Sequence, residues 1–292
     1  LFIMFCQVVK ILYLCRQKYI YSSKNTPMKQ AFCLSLLFVT LIACQPSAEE
    51  RASALITEAQ ALVETNQWRQ ARIMLDSLHI TYPKEVAQRR QAEALEDSIT
   101  YLEAQRTLGY VDTLLPPLLE QSDKLIKQFK YEKNEKYEDY GKYVHRLLTT
   151  GSNTSRNFIQ AYVRDDRQTF VKSYYYGATA MNQQSVTLSS EGEDAVYQGH
   201  NHHFEDGNHH EVMTMDNDIA LSLLNFISTH HSARIRVEGK GDKAHRNWVY
   251  YLNDKEKEAL SDTYQLGFLM KDINRLEQMQ RVANAQIERY LR

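Results

Sequence analysis

The spacing of apolar residues changes twice along this chain of 292 residues, and this change restricts the fold more than any other feature. From Arg51 to about Gln105 apolar residues recur every three or four positions, whereas after Gly141 they alternate with polar ones. From Asn253 onward the spacing of three and four returns. Because the first period belongs to helices and the second to strands, the sequence predicts an α+β protein. It has N-terminal helices, a central antiparallel sheet with one helix, and a long C-terminal helix.

The chain therefore divides into a helical region at 51–130, a mainly β region at 131–252 and a terminal helix at 253–292. Pro116 and Pro117 are expected to separate two helices of the first region, because proline lacks the amide donor that a helix interior needs. A heptad-like stripe in the terminal helix predicts packing on the chain's own helices or, alternatively, an intermolecular coiled coil. The stripe consists of Leu269, Ile273, Leu276, Gln280, Ala283, Ile287 and Tyr290.

Two hairpins are predicted in the β region. The first joins a strand at 158–164 to one at 169–176 through Asp165 and Asp166, and the second joins 234–237 to 248–251 around Gly239–Asp242. Further strands are expected at 186–188, 195–197 and 211–214, and Asp216–Asp218 is expected to cap the one helix of this region.

A short apolar run lies between Met28 and Cys44, which read MKQAFCLSLLFVTLIAC. The run is too short for a membrane-spanning helix, which needs about 20 residues, and is typical of a signal peptide. Its end, Leu-Ile-Ala-Cys, resembles the lipobox of bacterial lipoproteins. The resemblance implies that Cys44 carries the lipid and is the first residue of the mature protein. An ordinary secretory signal with a chance cysteine is the alternative.

The residues before Met28 do not fit a signal peptide that begins there. The chain opens with Leu1, and we expect 1–27 to be a mis-called upstream extension, 28–43 the signal peptide and 44–50 a short tether. The alternative is a transmembrane segment over Leu1–Cys15, which its length and the internal Lys10 make a poor one.

Cysteine and charge distribution agree with export. All four cysteines lie at or before Cys44, so the mature part has no disulfide, thiol nucleophile or thiolate metal site. Residues 1–43 hold five basic and no acidic residues, which leaves 30 basic against 36 acidic and a net charge of about −6. This balance disfavours nucleic acid as the partner. By the sorting pattern of lipoproteins, Gln45 after the cysteine implies the outer membrane.

The first helical region contains a possible repeat unit. Asn66-Gln67-Trp68-Arg69-Gln70-Ala71, followed by Tyr82-Pro83, resembles the joint of a tetratricopeptide hairpin, with Asn66 where glycine is usual. A single unit over 55–83 makes no peptide-binding groove, because such repeats need neighbours. A generic helical hairpin explains the pattern equally well.

Half of the ten histidines fall within 11 residues, beside carboxylates: His200, His202, His203, His209 and His210. Imidazoles in such a cluster can bind zinc or another transition metal. If 197–203 is a strand, His200 and His202 share a face, and a returning strand through His209 or His210 can add a ligand. The spacing matches no known metal motif, and a solvated polar turn is the alternative.

No catalytic motif is present. The tyrosines at 131, 137, 140, 143 and 174–176 suit stacking on sugars or peptides, and also suit strands. We therefore expect a lipid-anchored envelope protein that acts by binding or scaffolding rather than by catalysis, with a protein or glycan partner. The alternatives are a metal-handling lipoprotein that uses the histidine segment and, third, a hydrolase with an unrecognised site.

Overall fold

The computed structural model describes residues 46–148, 156–205, 208–243 and 246–292. It divides into two compact units, one up to Ile99 and the other from Thr100 to Arg292. The described helices and strands form an α+β fold with N-terminal helices, a central β region containing one helix, and a long C-terminal helix, as predicted.

Three helices build the first unit: α1 (Ala48–Glu64), α2 (Trp68–Thr81) and the beginning of α3 (Val86–Ile126). Their apolar positions meet in one core, which consists of Ala52, Ile56, Ala59, Ala71, Leu75, Leu78, Ala92 and Ile99. Because α1 and α2 bury alanines at this contact, the two helices approach closely. The predicted helical hairpin is thus formed, and α3 packs on it.

Asn66 makes the turn between α1 and α2. It adopts φ 60°, in the left-handed region that asparagine tolerates better than most residues. The amide of Asn66 donates to the carbonyl of Val63, and the amide of Gln67 donates to that of Leu62. These two bonds are a Schellman motif, which explains why asparagine can stand where glycine is usual.

Helix α1 begins earlier than the predicted tether allows. Ser47 accepts a hydrogen bond from the Glu50 amide, and the Glu50 side chain accepts one from the Ser47 amide. This capping box starts the helix at Ala48, so residues 48–50 of the expected 44–50 tether are helical.

Helix α3 runs through Pro116 and Pro117 without a break, which corrects the two helices predicted here. Both prolines are exposed on the helix surface. The carbonyls of Asp112 and Thr113, which lose their amide donors to these prolines, therefore lie on a side where water can reach them.

The second unit contains two antiparallel sheets. Sheet A has the strand order β1-β2-β3-β4-β8-β7 and sheet B the order β10-β9-β5-β6. The strands of sheet A are β1 (Phe129–Glu132), β2 (Lys142–His145), β3 (Phe158–Arg164), β4 (Thr169–Gly177), β7 (His200–Glu205) and β8 (His209–Asp216). Those of sheet B are β5 (Ser185–Ser190), β6 (Glu193–Tyr197), β9 (Arg236–Lys240) and β10 (Asn247–Tyr251). The predicted hairpins β3–β4 and β9–β10 are both present.

Two helices complete this unit, α4 (Asn217–Thr229) and α5 (Asp254–Leu291). The main core joins both sheets to α4 and the start of α5, with Val171, Leu188, Met213, Leu224 and Leu260 among its members. Where α5 crosses β4, a Cβ on Gly267 would lie only 2.4 Å from the Thr169 hydroxyl, so the close approach requires glycine.

The terminal helix uses its heptad-like stripe inside the chain. Ile273, Leu276 and Ala283 are buried, and Tyr290 stacks on Tyr101 of α3 with ring centroids 4.6 Å apart. This is the packing on the chain's own helices that the sequence predicts.

Candidate functional site

Sheet A has two faces of opposite character. Its strand register places most aliphatic side chains of β3, β4 and β8 on one face, the inner face, where they join the cores: Ile159, Ala161, Val163, Val171, Met213 and Met215. The opposite face, the outer face, carries aromatic, basic and polar side chains: Lys142, Phe158, Gln160, Tyr162, Arg164, Phe170, Lys172, Tyr174, Tyr176, His210 and Thr214. The alternation that predicted the hairpin thus also separates a structural face from a candidate binding face.

Two aromatic pairs lie across the β3–β4 ladder on the outer face. Phe158 stacks on Tyr174 with ring centroids 4.4 Å apart, and Tyr162 stacks on Phe170 at 5.3 Å. Each pair is directly opposed in the register, where cross-strand contacts stabilise a sheet most. The rings of Phe158 and Tyr162 are nearly buried, whereas Phe170 and Tyr174 are half-buried and reach the surface.

Lys172 lies near the centre of this face. Its strand neighbours are Gln160 on β3 and Thr214 on β8, and its ammonium lies 5.4 Å from the centroid of the Tyr162 ring. Burial, together with the nearby charge of Lys142, lowers the pKa of Lys172. No described side chain forms an ion pair or hydrogen bond with its ammonium.

The other cations around Lys172 have acidic partners. The Lys142 ammonium lies 3.6 Å from the carboxylate of Glu138, and the Arg164 guanidinium donates to Asp166. Arg164 also lies over the rings of Tyr140, at 4.5 Å, and Phe170, at 4.9 Å. Lys172 is therefore the cation that this part of the described surface leaves for an external anion.

Tyr162 and Tyr174 remain neutral on the outer face. Burial raises the pKa of Tyr162 and that of Tyr174 to about 12. The Tyr174 hydroxyl donates to the Gln160 side-chain oxygen over 3.2 Å, and the Gln160 amide donates to the Leu148 carbonyl. This chain of bonds fixes the orientation of both side chains beside Lys172.

Glu211 is a fully buried carboxylate on the inner face. It accepts hydrogen bonds from the consecutive backbone amides of Met181, Asn182 and Gln183 at 2.6–2.7 Å. It also accepts one from the side-chain amide of Asn201 at 2.9 Å. Burial raises its pKa, but these bonds outweigh burial and lower the pKa below its usual value. Asn182 adopts φ 52°, so the three amides form a concave nest that holds the charge.

The predicted histidine cluster is divided between the two faces. The β7–β8 register places His200, His202 and His210 on the outer face and His203 and His209 on the other. The prediction that His200 and His202 share a face is therefore correct for a strand. In the described part of the chain, however, no three His, Cys, Asp or Glu side chains converge as a metal site.

His203 and His209 are in contact with each other. Nε2 of His203 lies 3.3 Å from Nδ1 of His209, and Nδ1 of His203 lies 3.6 Å from Oε1 of Glu211. His210 instead contacts the ring of Tyr176, with centroids 4.9 Å apart.

A second histidine with a carboxylate lies on the inner face. Nε2 of buried His145 is 3.2 Å from Asp262, and its Nδ1 accepts the Leu147 amide at 3.3 Å. Because both ring nitrogens are engaged, neither is available as a general base. Burial lowers the pKa of His145, which favours the neutral ring in this position.

The described surface of the second unit includes cavities beside the α4 and α5 helices. One, of 610 Å³, lies between β6 and α4 and includes Val196, Ile219 and Ser222. The other, of 410 Å³, lies along α5 and includes Arg275 and Val282. Neither contains the histidines or the aromatic rings of the outer face, and neither collects the convergent acid, base and nucleophile that a hydrolase needs.

Lys172 and Glu211 were not predicted as site residues. Lys172 carried a signal, because it continues the alternation Phe170-Lys172-Tyr174-Tyr176 on the polar side of its strand. Glu211 carried none, since the loop amides that bind it are 28–30 residues away in sequence.

Cys44, the predicted lipidation site, lies outside the described residues. Of the helices described, none is long and apolar enough to cross a bilayer. No protein-family model, curated protein or solved structure matches the chain.

Proposed function

We propose that the protein is a non-enzymatic binding protein, anchored to the bacterial cell envelope through a lipid on Cys44, and that its outer face binds an acidic glycan. The observation that carries the binding proposal is the half-buried ammonium of Lys172, which forms no direct ion pair or hydrogen bond among the described residues and feels the charge of Glu138 only from a distance. A charge that is partly withdrawn from water and left unpaired lowers stability. Its presence at the centre of a face is therefore better explained by a ligand than by folding.

The neighbours of Lys172 suit a ring-shaped ligand. Phe170 and Tyr174 present half-buried aromatic edges on the same strand, and Tyr162 lies beneath the ammonium. Aromatic side chains of this kind contact the apolar side of a sugar ring while their hydroxyl groups remain available for hydrogen bonds. An acidic sugar supplies both the ring and the negative charge.

The overall negative charge of the protein favours a short acidic glycan over a long polyanion as the ligand. The mature chain is acidic, at about −6, so a long polyanion such as nucleic acid is repelled by most of its surface. A short acidic oligosaccharide needs only the local positive field of Lys172 and Lys142. The anchor, expected from the resemblance of Leu41–Cys44 to a lipobox, would hold the protein at the envelope.

Glycan binding is tested by titration calorimetry with an oligomer of galacturonic acid and with a galactose oligomer of the same length. We expect the acidic oligomer to bind and the neutral one to bind more weakly. Lys172→Met should weaken acidic binding by about 10-fold or more, because a charge-assisted hydrogen bond contributes about 1.5–3 kcal/mol. Lys124→Met is the matched control, since Lys124 is exposed on α3 and pairs with Glu120.

Failure of the acidic oligomer to bind, equal binding of the neutral one, or an unaltered affinity of Lys172→Met would each refute the glycan proposal. The Lys124→Met protein must bind as the wild type does.

The anchor is tested separately by labelling bacterial cells with radioactive palmitate while they express the chain. We expect the wild type to be labelled and Cys44→Ser to lose the label, because only the lipobox cysteine provides the thiol for acylation. Cys33→Ser, which changes another cysteine of the same signal peptide, should be labelled normally. Normal labelling of Cys44→Ser would refute the anchor.

A further inference from the structure

The β7–β8 hairpin brings two imidazoles together on one of its faces. His203 of β7 and His209 of β8 lie diagonally across the ladder, since His203 is opposite Glu211. Their rings are 5.2 Å apart between centroids, and Nε2 of His203 faces Nδ1 of His209 at 3.3 Å. The pair is near the surface, with the His203 side chain 35% exposed. His209 is also partly exposed, so a solute can approach the pair.

This separation matches two nitrogens that share a metal ion. Zinc binds imidazole nitrogen at about 2.0–2.1 Å. An ion at that distance from both His203 Nε2 and His209 Nδ1, which are 3.3 Å apart, subtends an angle of about 107°. This angle is close to that of a tetrahedral site. The separation of the two nitrogens is therefore already that of two ligands on one ion.

Glu211 provides the outer partner that a metal-binding histidine commonly has. The second nitrogen of such a histidine usually faces a carboxylate or carbonyl, which fixes the ring and its tautomer. Nδ1 of His203 faces Oε1 of Glu211 at 3.6 Å, and Glu211 is itself fixed by three backbone amides. The position of this carboxylate suits a proton on Nδ1, which assigns Nε2 of His203 as the atom that binds the ion.

We propose that His203 and His209 bind a divalent transition-metal ion of the zinc, copper and nickel class, with Glu211 as the group that orients His203. Imidazole ligands suit these ions and disfavour magnesium and calcium, which prefer oxygen. With two protein ligands, the remaining coordination positions are filled by water or by a small solute. Such a site exchanges its metal and differs from a closed structural site, which uses four protein ligands.

The proposal assigns different roles to histidines that are neighbours in sequence. His200 and His202 lie on the outer face, away from the pair, although they belong to the same strand as His203. They are therefore not ligands, and they supply an internal control. The metal site does not depend on the glycan-binding proposal, because it uses the opposite face of the sheet.

The test measures Zn²⁺ affinity of the whole, untagged protein by competition with a chromophoric chelator. We expect His203→Ala/His209→Ala to weaken Zn²⁺ binding at least 10-fold, and His200→Ala/His202→Ala to leave it unchanged. All the proteins compared keep the same four cysteines, so any thiol contribution is equal in each. Thermal unfolding followed by circular dichroism checks that both double variants fold.

A second measurement uses the wild type alone. Nitrogen-detected NMR should show that Zn²⁺ shifts Nε2 of His203 and Nδ1 of His209, while the rings of His200 and His202 keep their signals. Equal losses in the two double variants, or Zn²⁺ shifts on His200 and His202 instead, would overturn the proposal. If the His203→Ala/His209→Ala protein unfolds, the NMR result on the wild type decides.

Discussion

Each face of sheet A holds a charged side chain that is at least partly buried, but the two side chains differ in their hydrogen-bonding partners. On the inner face, the carboxylate of Glu211 is fully buried and accepts hydrogen bonds from Met181, Asn182, Gln183 and Asn201. On the outer face, the ammonium of Lys172 is half-buried and lies 5.4 Å from the centroid of the Tyr162 ring, with no direct ion pair or hydrogen bond among the described residues. One charge has its partners within the fold, and the other lacks them.

This difference distinguishes Glu211, whose charge stabilises the fold, from Lys172, whose charge we propose binds a ligand. A buried charge that is fully hydrogen-bonded connects distant parts of the chain and becomes costly to remove. A partly buried charge without an ion pair or hydrogen bond lowers the stability of the fold. Binding of an external anion would offset this cost. Substitutions at Glu211 and Lys172 should therefore change stability in opposite directions.

The largest expected effect is that of Glu211→Gln on folding. The new amide group replaces an oxygen that accepts backbone hydrogen bonds, so buried donors of the 181–183 segment lose their acceptor. We expect the free energy of unfolding to fall by about 2–4 kcal/mol. Urea denaturation, followed by circular dichroism, measures this change.

Glu120→Gln is the matched control for this variant. Glu120 is exposed on α3 and pairs only with Lys124 at the surface, so its replacement should alter stability by less than about 0.5 kcal/mol. If Glu211→Gln is as stable as Glu120→Gln, the buried carboxylate does not hold the 181–183 segment, and the contrast between the faces fails.

A smaller effect of opposite sign is expected for Lys172→Met. Methionine keeps much of the apolar stem and removes the unpaired charge, so the free energy of unfolding should stay the same or rise by up to about 1 kcal/mol. The measurement is again urea denaturation, repeated at neutral pH and near pH 10.

The pH dependence tests the physical cause. Burial and the charge of Lys142 lower the pKa of Lys172 in the folded protein below its value in the unfolded protein. The contribution of Lys172 to stability is therefore full above the unfolded pKa, and it is lost as the pH falls through the folded pKa. The wild type should therefore gain more stability than Lys172→Met as the pH rises toward 10. Lys142→Met, which removes a cation paired with Glu138, is the comparison. A clear loss of stability in Lys172→Met would show that the ammonium is structural.

Much of the fold was predictable from local patterns. The α5 helix begins where Asn253 and Glu256 form a capping box, and its stripe of apolar residues was visible as a period of three and four. The β3–β4 hairpin followed from alternation over 158–164 and from the aspartates of the turn. These features depend on neighbouring residues alone, so the sequence contains them directly.

Local rules also misled the prediction in the helical region. Pro116 and Pro117 satisfy every criterion for a helix boundary, yet α3 continues through both. The propensity of a single position was overridden because the flanking turns on each side are helical and the prolines face outward. Conversely, Ser47 and Glu50 form a capping box that the sequence displayed and the tether assignment overlooked.

The candidate sites were only partly predictable. The sequence shows five histidines within 11 residues, but strand register decides that His203 meets His209 while His200 and His202 face away. Register depends on how β7 pairs with β8, and a shift of one residue would exchange the faces. The position of Glu211 beside His203 depends in turn on the same pairing.

The sequence by itself determined the order and type of most of the main elements, because these depend on adjacent residues, and the lipid anchor at Cys44 stays a prediction from the motif alone. The tertiary structure alone decided which charges acquired partners. Glu211 accepts hydrogen bonds from amides about 30 residues away, whereas the residues directly opposite Lys172 on its neighbouring strands, Gln160 and Thr214, carry no charge. Hydrogen bonds and ion pairs act over only a few ångströms, so they depend on distances between segments that only folding brings together.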